Sequence, residues 1–133
     1  MAMSLAACVS QAAPIHLTCD IDPQLSSHDP DAAEAVRNDM CEAIAERIIE
    51  AAPSRPIIRD RIPATADTLM LKLNVTSVSL KSTADRITAE FTWRQGEQSK
   101  SNTLTMTVVD ARLSPTMYKS LVDALWAENQ PPL

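Results

Sequence analysis

The chain has 133 residues, of which 45% are hydrophobic and 22% charged, and its net charge is −5. That length fits one domain, and 12 Lys and Arg against 17 Asp and Glu exclude nucleic acid as the natural partner, because a phosphate backbone needs concentrated positive charge. A single glycine, Gly96, excludes P-loops, dinucleotide fingerprints and the G-x-S-x-G elbow, all of which need several glycines for close backbone approach.

The first 19 residues carry no charge. Within them, Leu5-Ala6-Ala7-Cys8 resembles the lipobox of bacterial lipoproteins. That resemblance implies a lipid on Cys8, which would become the new N-terminus and attach the protein to a membrane. Ser10-Gln11-Ala12 has small residues at its first and third positions, as a soluble-export cleavage site does. A basic n-region is missing, and the seven residues before Cys8 are too few to span a membrane. Either the true start lies upstream, or the segment is an apolar, disordered tail. Residues 1–13 are thus read as signal-like, lipobox-like or disordered, 14–128 as a single α+β domain, and 129–133 as a disordered, Pro-rich tail.

Ile15, Leu17, Cys19 and Ile21 alternate with His16, Thr18, Asp20 and Asp22, the period of a half-buried strand. Asp29-Pro30 opens a helix with a capping carboxylate and a proline at the first helical position. Its apolar stripe runs through Ala33, Val36, Met40, Cys41, Ile44, Ile48 and Ala51. Residues 54–68 read as a connector, with Ile57-Ile58 as a short extended piece against the core. Leu69, Leu71, Leu73 and Val75 alternate, and the parity then shifts to Val78 and Leu80, which requires a bulge or twist near Thr76-Ser77, or else one face is swapped. Ile87, Ala89, Phe91 and Trp93 form the next strand, residues 95–102 a turn around Gly96, and Leu104, Met106 and Val108 the last strand. Ser114-Pro115 repeats the cap-plus-proline signal, with Leu113 and Tyr118 at hydrophobic-staple positions. Met117, Leu121 and Leu125 follow one turn apart.

The expected fold is α+β in the order β-α-β-β-β-α: a mixed, twisted four-stranded sheet with both helices on one face. Three strands form an antiparallel meander, and the first joins in parallel after the helical crossover. This order resembles the compact modules of bacterial envelope-assembly lipoproteins.

Cys19 lies on the apolar parity of the first strand and Cys41 on the apolar stripe of the first helix. Adjacent elements of this kind pack together, so the two thiols either join as a disulfide or stay reduced as small core hydrophobes. Once Cys8 is lipidated or removed, the cysteine count is even.

Other candidate chemistry is weaker. His16, Asp20 and Asp22 share a polar strand face, and imidazole with carboxylates can bind a divalent metal. Their spacing spreads them over about 7–13 Å, so one ion needs ligands from elsewhere. His16 and Cys19 have opposite parity, which separates a thiol–imidazole pair. His28 reads as a loop residue. Arg55, Arg59 and Arg61 read as solvated loop charges before they read as an anion site. Asn74-Val75-Thr76 matches a glycosylation pattern but falls inside a strand. The best candidate surface is the outer sheet face, with Thr88, Glu90, Thr92, Arg94, Thr103, Thr105 and Thr107. Threonine also suits exposed strands for purely structural reasons.

The expectation is a small, non-enzymatic protein of the bacterial envelope, periplasmic or lipid-anchored, that binds or helps assemble a protein partner. No cofactor is expected. The alternatives are a metal-dependent protein using His16, Asp20 and Asp22, and a cytosolic accessory protein.

Overall fold

The computed structural model describes residues 13–23, 30–59, 68–80, 84–109 and 114–133. Seven elements follow in chain order. They are β1 (Ile15–Ile21), α1 (Pro30–Ala51), β2 (Ile57–Ile58), β3 (Leu69–Leu80), β4 (Ala84–Gln95), β5 (Gln98–Val109) and α2 (Pro115–Glu128). The strands form one five-stranded sheet in the order β2-β1-β3-β4-β5. β1 runs parallel to both β2 and β3, while β3, β4 and β5 form an antiparallel meander. The α+β class and the mixed sheet agree with the sequence pattern.

The sheet has five strands rather than four. Ile57 and Ile58 align with Ile15 and His16, so the expected extended piece is a short parallel edge strand. The hairpin between β4 and β5 is also tighter than expected. Gln95 pairs with Gln98, leaving Gly96-Glu97 as a two-residue connection. Both primed turns need a positive φ at their first central residue, and Gly96 supplies it at 62°. Polar Ser99, Lys100 and Ser101 continue the ladder because they stand at an exposed edge, where a strand needs no apolar payload.

The parity shift in β3 is a bulge. Val75 pairs with Ala89, Ser77 with Thr88 and Val78 with Ile87, so Thr76 is the extra residue. Its hydroxyl donates to the Thr88 carbonyl at 3.3 Å. The bulge returns Val78 to the face that holds Val75.

Core residues lie on one side of the sheet. Ile15, Leu17, Leu69, Leu71, Leu73, Val75, Ile87, Ala89 and Phe91 meet Val36, Met40, Ile44 and Ile48 of α1 and Leu121, Val122, Leu125 and Trp126 of α2. Phe91 stacks on Trp126 with ring centroids 5.9 Å apart. The α1 stripe ends differently from its sequence pattern: Ala51 is exposed and Ala52 takes the buried position. Arg47 of α1 ties the helices together through Asp123 of α2 at 2.8 Å. Pro115 opens α2 as expected, but Ser114 makes no side-chain capping bond. Its carbonyl instead accepts from the Met117 and Tyr118 N–H groups. Leu113 and Asp29 lie outside the described residues.

The chain end corrects one expectation. Residues 129–133 are not a loose tail: Asn129 is fully buried and Pro131 is buried beside the sheet. The Asn129 amide donates to the carbonyls of Phe91 at 3.2 Å and Lys100 at 3.0 Å, while its own N–H bonds back to Leu125 and Trp126. One residue thereby closes the helix with its main-chain N–H and fastens it to β4 and β5 with its side chain. Composition hides this role, because a polar Asn before two prolines looks like a solvated end.

Candidate functional site

Two places in this fold carry polar groups on a rigid support: the sheet face opposite the helices, and a crease where β1 meets α1.

The outer face is built by strand parity. Because β1 is parallel to β3 and the rest is a meander, alternate residues of every strand emerge on the side away from the core. Register sets them in rows across the sheet. His16, Met70, Arg94 and Ser99 form one row, and Thr18, Lys72, Thr92 and Ser101 the next. Asp20, Asn74, Glu90 and Thr103 form the third. Past the bulge, Ser77 lies beside Thr88 and Thr105, and Ser79 beside Arg86 and Thr107. The strand ladder therefore brings together all seven residues singled out on this face.

These side chains are partly knitted to each other. The Thr88 and Thr105 hydroxyls share a hydrogen bond at 2.8 Å, and Thr92 and Ser101 share one at 2.7 Å. Lys72 Nζ lies 3.9 Å from the Asp20 carboxylate. Such pairs hold side chains in one conformation, which lowers the entropy lost when a partner arrives. None of the described elements covers this face.

Charge divides between the two sides. α1 carries six acidic and two basic residues, and α2 two acidic and one basic, so the helices account for the whole net charge of −5. The outer face holds Lys72, Arg86 and Arg94 against Asp20 and Glu90. A weakly charged, hydroxyl-rich sheet surface thus lies behind an acidic helical layer.

The crease encloses about 240 Å³ between Leu17, Cys19 and Asp20 of β1 and Arg37, Cys41 and Glu42 of α1, with Arg59 at its rim. Cys19 and Cys41 form its floor as a disulfide, with Cα atoms 6.0 Å apart. Its arginines are engaged: Arg59 bonds Glu42 at 2.9 Å, and Arg37 bonds the Asn38 side chain at 3.0 Å. Ligand pockets are normally apolar with a few convergent polar groups. This one is a small surface crease whose two arginines are already engaged by neighbouring side chains.

The remaining candidates disperse. His16 and Asp20 are on one face, about 13 Å apart along the strand, and Asp22 lies beyond its end. Among the described residues, no three His, Cys, Asp or Glu side chains come together as a metal set. His16 and Cys19 do point to opposite faces, and the Cys19 sulfur is bonded to Cys41. Arg55 donates to the Ala13 carbonyl at 2.8 Å, which ties the connector to the start of β1. Asn74 takes its place in the outer-face rows. Cys8, His28 and Arg61 lie outside the described residues.

Two features escaped the sequence pattern. Asp85 is 1% exposed at the start of β4, where its acidic identity gave no sign of burial. Tyr118 of α2 is pushed above the usual phenol range by burial, and further by the carboxylates of Asp39 and Asp85. Tyr118 thus faces one carboxylate from α1 and one from β4.

No family model matches the chain, and no curated protein matches it in sequence. Solved structures do match in shape. PelC from Paraburkholderia phytofirmans, solved as a dodecamer, aligns with a TM-score of 0.58 at 11% identity over 88% of each chain. Lipoprotein GNA1162 from Neisseria meningitidis aligns with a TM-score of 0.51 at 12% identity, over 87% of this chain and 96% of that one. An uncharacterised protein gives 0.51 at 12% identity, over 88% of this chain and 86% of its own. At these identities the likeness is one of fold.

Proposed function

We propose that this chain is a non-enzymatic binding and assembly module of the bacterial cell envelope, and that the outer sheet face receives its protein partner. The observation that carries this reading is the face itself: four aligned strands present a hydroxyl-rich surface that none of the described elements covers, and several of its side chains are already paired. Three further observations support the compartment. The Cys19–Cys41 disulfide suits an oxidising environment. Leu5-Ala6-Ala7-Cys8 is lipobox-like. The fold is shared with a neisserial lipoprotein and with PelC, which was solved as an assembly of twelve copies.

The partner docks through shape and hydrogen bonding more than through charge, because the face holds three basic and two acidic side chains in mixed order. A deep anionic or cationic ligand is a poor fit to such a surface.

The test is capture from native membranes with a chemical cross-linker, together with mass determination of the mature N-terminus. Glu90→Lys and Thr92→Arg on the central strand β4 should abolish capture by the tagged chain while leaving its melting temperature unchanged. Capture that survives both changes refutes the face as the docking surface. A mature chain retaining an unmodified Met1 inside the cytosol refutes the envelope assignment.

A further inference from the structure

The meander ends on an unguarded edge. Among the described residues, β5 has β4 on one side and no neighbour on the other. The opposite edge is broken up: the two-residue β2 covers Ile15 and His16 of β1, and the crease with α1 and Arg59 flanks Leu17 to Asp20. β5 is twelve residues long, and from Ser101 to Val109 it contains no charge, no proline and no glycine. The usual devices that keep an edge from pairing are missing along this stretch.

The hairpin decides which backbone groups face out. A two-residue connection is closed by a pair that exchanges both of its hydrogen bonds, and such pairs alternate down an antiparallel ladder. Counting from Gln95 and Gln98, the even-numbered residues of β5 bond to β4. The N–H and C=O groups of Ser101, Thr103, Thr105, Thr107 and Val109 therefore point to the open edge.

We propose that β5 pairs antiparallel with β5 of a second copy of this chain, about a two-fold axis at Thr105. One continuous sheet then crosses the dimer. Thr105 faces its twin, Thr103 faces Thr107, and Ser101 faces Val109. Each of these pairs exchanges two hydrogen bonds, roughly ten in all. On the core side, Leu104 meets Met106 and Val108 meets Asn102. Leu104, Met106 and Val108 are only half-buried in the single chain, and Val109 is 67% exposed. On α2, Lys119 and Asp123 mark the flank toward α1. Helical spacing puts half-buried Met117 and exposed Ala124 on the other flank, beside this edge.

A second copy fits better than an unrelated strand because the segment is complementary to itself. Reversed on its own sequence, it sets threonine against threonine at its three central outer pairs, with Ser101 against Val109 at each end; inside it sets Leu104 against Met106 and Val108 against Asn102, and it opposes no like charges. Most of the helices' acidic residues sit on α1, away from β5; Glu128 of α2 stands beside β5, where the Asn102 amide donates to its carboxylate at 3.3 Å.

Sedimentation of the purified full chain, oxidised and without any other protein, tests the pairing over about 1–300 µM, a range that resolves weak dimers. The mass should rise with concentration from 14.5 kDa toward twice that value. Thr105→Lys sets two ammonium groups on the axis, and Thr105→Pro removes an outward N–H without costing β4 a bond. Each should weaken dimerisation at least about tenfold, with circular dichroism and melting unchanged at dilutions where the wild type is monomeric. Thr92→Arg, central on the same face, should leave it intact. A chain that stays monomeric throughout overturns the proposal. So does a dimer that survives both Thr105 changes or is lost with Thr92→Arg. Dimerisation that appears only after residues 1–12 are removed also overturns it for the native chain, since the edge would then belong to its own leader.

Discussion

Replacing Cys19 by Ser and Cys41 by Ala removes a cross-link between residues 22 apart in sequence. In the chain-entropy model, freeing a loop of that size returns roughly 11 cal/mol/K to the unfolded ensemble, about 3.4 kcal/mol at 25 °C. The native state has other means of holding these residues. β1 is paired with β3 from Ile15 to Ile21 and with β2 at Ile15 and His16, and Met40, Ile44 and Ile48 of α1 remain in the core. The variant therefore folds, and the loss falls mainly on the unfolded side. With an unfolding entropy of about 2.1 cal/mol/K per residue, 3.4 kcal/mol lowers the melting temperature by roughly 12 °C for a chain of this length. Thermal melts followed by circular dichroism would compare the oxidised wild type, the double variant and the reduced, alkylated wild type. A fall below about 3 °C in the double variant would sink the loop-entropy reasoning, because a third of a kcal per degree is the scale at stake.

Asn129→Ala deletes both bonds to the Phe91 and Lys100 carbonyls and should destabilise the fold by about 2 kcal/mol in urea titrations, with an unchanged m-value. Arg47→Met should cost less than about 1 kcal/mol, since the Arg47–Asp123 pair is over a third exposed and solvent screens it; a larger loss would mean that the helix pair depends on this contact. Tyr118 has a raised phenol pKa in the folded state, so its contribution to stability is whole below the ordinary value of 10.0 and is lost as pH rises through the folded value. Melting temperatures between about pH 9 and 12 should consequently fall more steeply in the wild type than in Tyr118→Phe; parallel curves would contradict the assignment.

Local pattern alone determined much of this protein. Period-two alternation marked β1, β3, β4 and the end of β5, because a sheet with one buried face forces every second residue to be apolar. Three- and four-residue spacing marked α1 and α2 for the equivalent helical reason. The parity slip after Val75 announced the bulge at Thr76, since only an extra residue can return Val78 to the core side. Opposite parity also separated His16 from Cys19, and shared interior parity left Cys19 and Cys41 as either a disulfide or two reduced core thiols, of which the structure shows the disulfide.

Tertiary structure decided what depends on neighbours distant in sequence. Ile57-Ile58 is too short to register as a strand until β1 lies beside it. Ser99 to Ser101 looks like a turn until the two-residue hairpin sets its register against β4. Asn129 looks solvated until the Phe91 and Lys100 carbonyls are placed beside it, and Asp85 gives no sign in sequence of its burial at the start of β4. The outer-face residues could be named from parity, but their rows could not, because register between strands is set by packing across the whole sheet. The open edge of β5 was equally invisible, since a strand's sequence does not say whether it will lie at the centre of a sheet or at its border.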